Sequence, residues 1–356
     1  MRWLLFARWL VLVALVLLGS VAVASRGRVV DVVVHGVGLE GNLLGDSPDR
    51  PVSVYLPPDY DEDVDVRYAV LYLLHGYSVS NQMWVGGGYN SPRDLVTVVD
   101  GLVAEGAVHP MIIVMPDART TYGGSYYTNS PVSGAWEDFM ADELVKYVDG
   151  HFRTLARPES RAIAGHSMGG FGALGLAMRH PERYSVVYAM SPADIDLVDV
   201  SRTGSLSGYA FLRTIDLLAR GALPRGGWSG AHLAMAAAFS PDVNQPPGYV
   251  ELPYVKVDGQ PHRVDEVWQQ WIAHTPLGMI PCFGPNLLLY RGVALDVASG
   301  EENPDIGPGV RAFSEALKQM GIPHRLEVYE GTHTSEVASR LASVVLPFVS
   351  ERLDGE

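Results

Sequence analysis

The chain has 356 residues, 47% of them hydrophobic, and carries 40 acidic against 26 basic side chains for a formal charge of −14. Such a length and apolar content support a large core in one elaborated domain or two. The acidity, with no basic run after the leader, argues against a nucleic-acid partner, since phosphate-backbone binding needs clustered Lys and Arg. Cys282 is the only cysteine, which excludes an intramolecular disulfide and a multi-thiolate metal site; it is expected to be a small buried apolar residue.

In chain order, Arg2 and Arg8 supply positive charge before or within an apolar run that extends to Leu18, and Ala22-Val23-Ala24 gives a small-residue cleavage site. Residues 1–24 therefore read as an export signal, with Ser25 the first mature residue and 25–356 the mature domain. The alternative is an uncleaved anchor, although Trp9–Ala24 is short for a spanning helix. Membrane contact is expected only through this leader, and the protein is placed outside the cell or in its envelope.

Arg28–His35 and Pro51–Leu56 read as strands by their β-branched content and alternation. Tyr68–Leu74 and Met111–Met115 are continuous apolar runs, as in strands buried on both faces. Asp94–Glu105 and Trp136–Phe152 have helical spacing, and Arg161–Ala164 and Ser185–Met190 give two further strands. Strands at Val293–Val297 and Arg325–Tyr329 close the series, with helices at Val310–Met320 and about 335–353. This alternation predicts an α/β fold with a mostly parallel sheet and helices on both faces. Between the sixth and seventh main strands, residues 193–285 change character. Gly, Pro and Trp become frequent, Val264–Ala273 looks helical, and the segment reads as a cap insertion over the site. Its tryptophans fit a satellite core more readily than a substrate cleft.

In parallel sheets the functional rim lies beyond the carboxyl ends of the strands, here His75, Asp117, Ser167 and Ser191. Gly165-His166-Ser167-Met168-Gly169 sits between a short strand and a helix running from Gly170 to His180. A serine on that strained turn projects its hydroxyl above the sheet, and the following helix aims its first N–H groups at the same point. Serine is a weak nucleophile without an adjacent base. His333, in the loop after the last strand, has the position that the chain order Ser…acid…His requires, whereas His324 precedes that strand and faces the wrong end. The acid that orients the base should follow Val293–Val297, where Glu301, Glu302 and Asp305 are the candidates. The oxyanion donors are expected to be the N–H groups of Met168 and Tyr77, with His75 placing the Gly76–Tyr77 peptide.

Leu73-Leu74-His75-Gly76, Arg161–Gly172 and Gly331-Thr332-His333 resemble the esterase D type of α/β-hydrolases, which includes S-formylglutathione hydrolases, feruloyl esterases and secreted mycolyltransferases. The resemblance runs from about Pro51 to Leu346 and implies the α/β-hydrolase fold. In the insertion, Phe239-Ser240-Pro241-Asp242 and Glu251-Leu252-Pro253 are similar to segments of some relatives. Relatives often read D-x-G-x-x-D after the strand before the acid, and Asp296–Asn303 departs from that spacing. Anchoring on Pro308-Gly309 puts Glu302 in the acid's place, ahead of Asp305 and then Glu301. The expectation is an exported serine esterase with triad Ser167, His333 and Glu302, needing no metal or cofactor and acting on a small-molecule, carbohydrate or lipid ester. Acyl transfer to a sugar or lipid hydroxyl, and a non-catalytic carbohydrate- or partner-binding protein, are the alternatives.

Overall fold

The apolar runs in mid-chain become the centre of an eight-stranded sheet. The computed structural model describes residues 25–86, 94–199, 201 and 206–355; the leader read at 1–24 lies outside them. Strands β1 (Arg28–His35), β2 (Asp49–Leu56), β3 (Ala69–Leu74) and β4 (Met111–Pro116) precede a two-residue hairpin, β5 (Asn129–Ser130) with β6 (Gly134–Ala135). Then come β7 (Arg161–His166), β8 (Val186–Met190), a second hairpin of β9 (Tyr254–Val257) with β10 (Gln260–Arg263), β11 (Gly292–Ala298) and β12 (Arg325–Tyr329). The main sheet has the order β1-β2-β4-β3-β7-β8-β11-β12. Strands from β4 to β12 pair in parallel, and β1 and β2 are antiparallel additions at one edge.

Every side chain of β3, β4 and β7 is buried, because helices cover both faces. One face packs against the helices Met168–Arg179 and Ile306–Gln319, and the other against Leu95–Ala104 and the C-terminal segment around Leu346. Burying one large aliphatic side chain contributes about 1.5–3 kcal/mol, so these strands supply much of the stability of a chain without a disulfide. Asp94 caps its helix by accepting from Thr97 N at 2.7 Å, which explains the boundary there.

The segment between β8 and β11 has more regular structure than its composition suggests. It contains helices Leu206–Ala219, Gly227–Phe239, Asp265–His274 and Pro276–Phe283. The helix Gly227–Phe239 is buried almost all round and so lacks the polar stripe by which an amphipathic helix is recognised. Cys282 is exposed, contrary to the expectation of a buried thiol, because it lies on the solvent side of the helix Pro276–Phe283.

Candidate active site

Ser167 stands between β7 and the helix Met168–Arg179 with φ +58° and ψ −119°, a conformation that side chains rarely adopt. The elbow is fixed from both sides. Ser167 N donates to Met190 O of β8, while Ser167 O accepts from Phe171 N and Ala193 N. The flanking glycines are sterically required. A Cβ on Gly169 would lie 2.3 Å from Leu74 O, and one on Gly165 would lie 2.4 Å from Gly169 O. The helix can therefore approach β3 and β7 only where both positions lack side chains.

Ser167 Oγ lies 2.9 Å from His333 Nε2. His333 Nδ1 lies 2.8 Å from Glu301 Oε2, and that carboxylate is almost fully buried. The sequence expectation of Glu302 against the imidazole is thus corrected: the residue there is Glu301, which had ranked third. Glu302 takes a main-chain contact instead, accepting from His333 N at 2.9 Å. That N–H holds the Glu302 carboxyl below its usual pKa, against a smaller effect of burial. The reason for the exchange lies in the backbone. Ser299 N donates to Tyr329 O and Gly300 N to Gly331 O, so the β11–β12 pairing continues past both strand ends and sets which way the next side chain turns. Asp305 precedes the helix Ile306–Gln319, lines the same cavity and makes no contact with His333. Burial, with Asp196 nearby, raises its pKa. His324 is at the other end of the sheet, bonded to Ser314 Oγ at 2.7 Å.

Two further histidines shape this rim. His75 is completely buried, and its Nδ1 donates to Gly76 O at 2.7 Å while Nε2 accepts from Ala118 N at 2.8 Å. A trans peptide carries its C=O and N–H on opposite sides. With the Gly76 carbonyl turned to the buried ring, Tyr77 N–H points the other way. Gly76 and Tyr77 border the cavity that contains Ser167. Met168 N is the first amide of its helix and has no intrahelical partner. His166 had no assigned role in the sequence; its Nε2 donates to His333 O at 2.8 Å, so it braces the loop that carries the base. Burial, with His333 adding to it, pushes His166 down to about 3 and keeps it neutral.

The cavity above Ser167 has a volume of about 640 Å³. The segment between β8 and β11 supplies much of its wall, including Phe211, Trp228, Met235, Trp268 and Trp271. Trp268 and Trp271 are also buried in the main core, so they serve both packing and lining. Trp271 Nε1 is anchored on Ser240 Oγ at 2.7 Å. Among the described lining residues there are five carboxylates and no Lys or Arg. Asp194, next to the nucleophile loop, accepts from Tyr126 OH at 3.1 Å, and burial pushes its carboxyl up to about 6. No group of three or more His, Cys, Asp or Glu side chains among the described residues is arranged to hold a metal ion.

A mostly parallel sheet with a serine on a strand-to-helix elbow and a histidine after the last strand defines an α/β-hydrolase. Solved structures with this architecture include a ferulic acid esterase (TM-score 0.62, 22% identical, covering 92% of this chain and 100% of that one). Another is an S-formylglutathione hydrolase from Staphylococcus aureus (TM-score 0.57, 14% identical, covering 92% and 100%). The family model described as putative esterase matches residues 47–272, and the chain belongs to that family. Among curated relatives, Esterase Rv1288 of Mycobacterium tuberculosis (strain ATCC 25618 / H37Rv) is 37% identical over 134 residues, 36% of this chain and 26% of that protein. The endo-1,4-beta-xylanase/feruloyl esterase of Xylanibacter ruminicola is 33% identical over 138 residues, 38% of this chain and 18% of that protein. The chain thus spans about a quarter or less of the curated relatives it matches.

Proposed function

We propose that the protein is a serine esterase that hydrolyses a carboxylic ester through an acyl-serine intermediate. The observation that carries this reading is the unbroken line from Ser167 Oγ through the His333 ring to the Glu301 carboxylate. In this reading His333 Nε2 takes the Ser167 proton as Oγ attacks the ester carbonyl, and Glu301 holds the ring and stabilises the imidazolium. The amides of Met168 and Tyr77 stabilise the oxyanion. The imidazolium then protonates the leaving alkoxide, the C–O bond breaks, and an acyl-Ser167 remains. Water attacks that acyl group, giving its proton to His333, and the acid leaves as Ser167 recovers its hydrogen. Over the cycle the Ser167 proton leaves with the alcohol and a water proton replaces it, each carried by His333.

A fluorophosphonate probe tests the first step, since it reacts preferentially with a serine activated by an adjacent base. One covalent adduct per chain is expected, mapped by mass spectrometry to the peptide containing Ser167. An unlabelled chain would leave a passive binder of the same fold.

Export belongs to the same reading and rests on Arg2, Arg8 and Ala22-Val23-Ala24. Expressed from its full gene, the protein should accumulate outside the cytoplasm with Ser25 at its N-terminus. N-terminal sequencing that finds the leader retained would replace cleavage with anchoring. Among the described residues, no helix is long and apolar enough to cross a membrane.

A further inference from the structure

His232 belongs to the helix Gly227–Phe239, lines the cavity and has no part in the chemistry above. Only 5% of the residue is exposed, and its ring stacks flat on Phe211, with centroids 3.6 Å apart and planes within 7°. Burial pushes its pKa down to about 3, so the ring is neutral and carries one donor and one acceptor. Neither nitrogen has a hydrogen-bond partner among the described residues, and Nδ1 is sealed from solvent. Buried polar atoms in folded proteins are nearly always paired, and an unpaired one costs stability. A phenylalanine would fill the same space and keep the stack on Phe211 without that cost. Nδ1 stays unpaired with or without a guest, whereas Nε2 is the nitrogen left for a group lodged in the cavity that His232 lines, a function phenylalanine could not serve.

The tautomer narrows the guest. A buried N–H with no acceptor forfeits its hydrogen bond outright, so the assigned tautomer leaves the sealed Nδ1 bare and puts the proton on Nε2. The matching group is then an acceptor. The five carboxylates among the described lining residues disfavour an anionic one, which leaves a neutral oxygen. We propose that His232 is a specificity-determining residue, its Nε2–H donating to a neutral ether, carbonyl or hydroxyl oxygen on the part of the ester lodged among Phe211, Met235 and Trp271. This rests on the esterase reading and adds to it a polar mark within an otherwise apolar substrate group.

The test is a series of isosteric substrates: p-nitrophenyl octanoate and analogues in which an ether oxygen replaces the methylene at carbon 5, 6 or 7. All retain the same leaving group, and the oxygen lies far enough from the carbonyl to leave its reactivity alone. For the native chain, one position should raise kcat/KM over octanoate by about tenfold, the discrimination that one well-placed hydrogen bond gives. In His232→Phe that ratio should fall to about one, and His232→Gln, which restores an N–H donor, should recover part of it. His232→Phe should also melt no lower than the native chain, because it removes an unpaired buried nitrogen.

Turnover with no oxygen preference at any position overturns the proposal, and so does a preference that survives in His232→Phe. A lower melting temperature for His232→Phe does the same, since the imidazole would then be holding the fold. Failure of the esterase reading looks different: no member of the series, octanoate included, would be turned over.

Discussion

Ser167→Ala should lower kcat for short p-nitrophenyl esters by about a million-fold, the loss typical when a triad serine is removed, and should abolish fluorophosphonate labelling. The fold should survive. The strained φ of +58° at this residue is a property of the backbone turn, fixed by Met190 O, Phe171 N and Ala193 N, and alanine has the same Cβ. Among the described residues the hydroxyl makes one hydrogen bond, to His333 Nε2, and a typical bond of this kind contributes about 1 kcal/mol. Thermal melting should therefore shift by only a few degrees. Residual turnover above the rate in water is expected, because the amides of Met168 and Tyr77 and the binding cavity remain. Native-level activity in this variant would move the reaction to another site.

The residues of that experiment were readable in the sequence for a definite reason. Strand ends and chain order are topological, and topology follows from runs such as Tyr68–Leu74 and Met111–Met115 that can only be central strands. Once those are placed, Ser167 at one carboxyl end and His333 after the last strand fall on the same rim. The acid could not be placed this way. Glu301 and Glu302 are adjacent in a loop with no period, and their directions depend on two backbone bonds from Ser299 and Gly300 to the β12 side. Aligning on Pro308-Gly309 counts residues along the chain but says nothing about which side of it a carboxylate faces. His166 was hidden for a related cause: its partner is a main-chain carbonyl 167 positions away, and such a contact leaves no pattern in side-chain types. The helix Gly227–Phe239, and His232 with it, went unread because burial on every side removes the amphipathic signal.

The neighbouring glutamates invite a direct comparison. Glu301→Gln should cost about 10⁴ in kcat with little change in KM, and Glu302→Gln less than about tenfold. The amide at 301 keeps the shape and can still meet Nδ1, but it lacks the charge that stabilises the imidazolium. It can also present an N–H to Nδ1, which favours the tautomer with its proton on Nε2, where the ring can no longer accept from Ser167. At 302 the requirement is weaker. The carboxylate accepts one main-chain N–H, from His333 at 2.9 Å, and an amide oxygen can accept the same bond. What is lost there is the strength that charge adds to that bond, felt as looser placement of the His333 loop. Steady-state kinetics on the two variants, with melting curves to confirm folding, separates the roles. A large loss at 302 with near-native rates at 301 would restore the assignment made from the alignment and dismiss the 2.8 Å contact to Glu301 as incidental. Equal large losses would mean that the loop acts as one unit, with the base held as much through its backbone as through its ring.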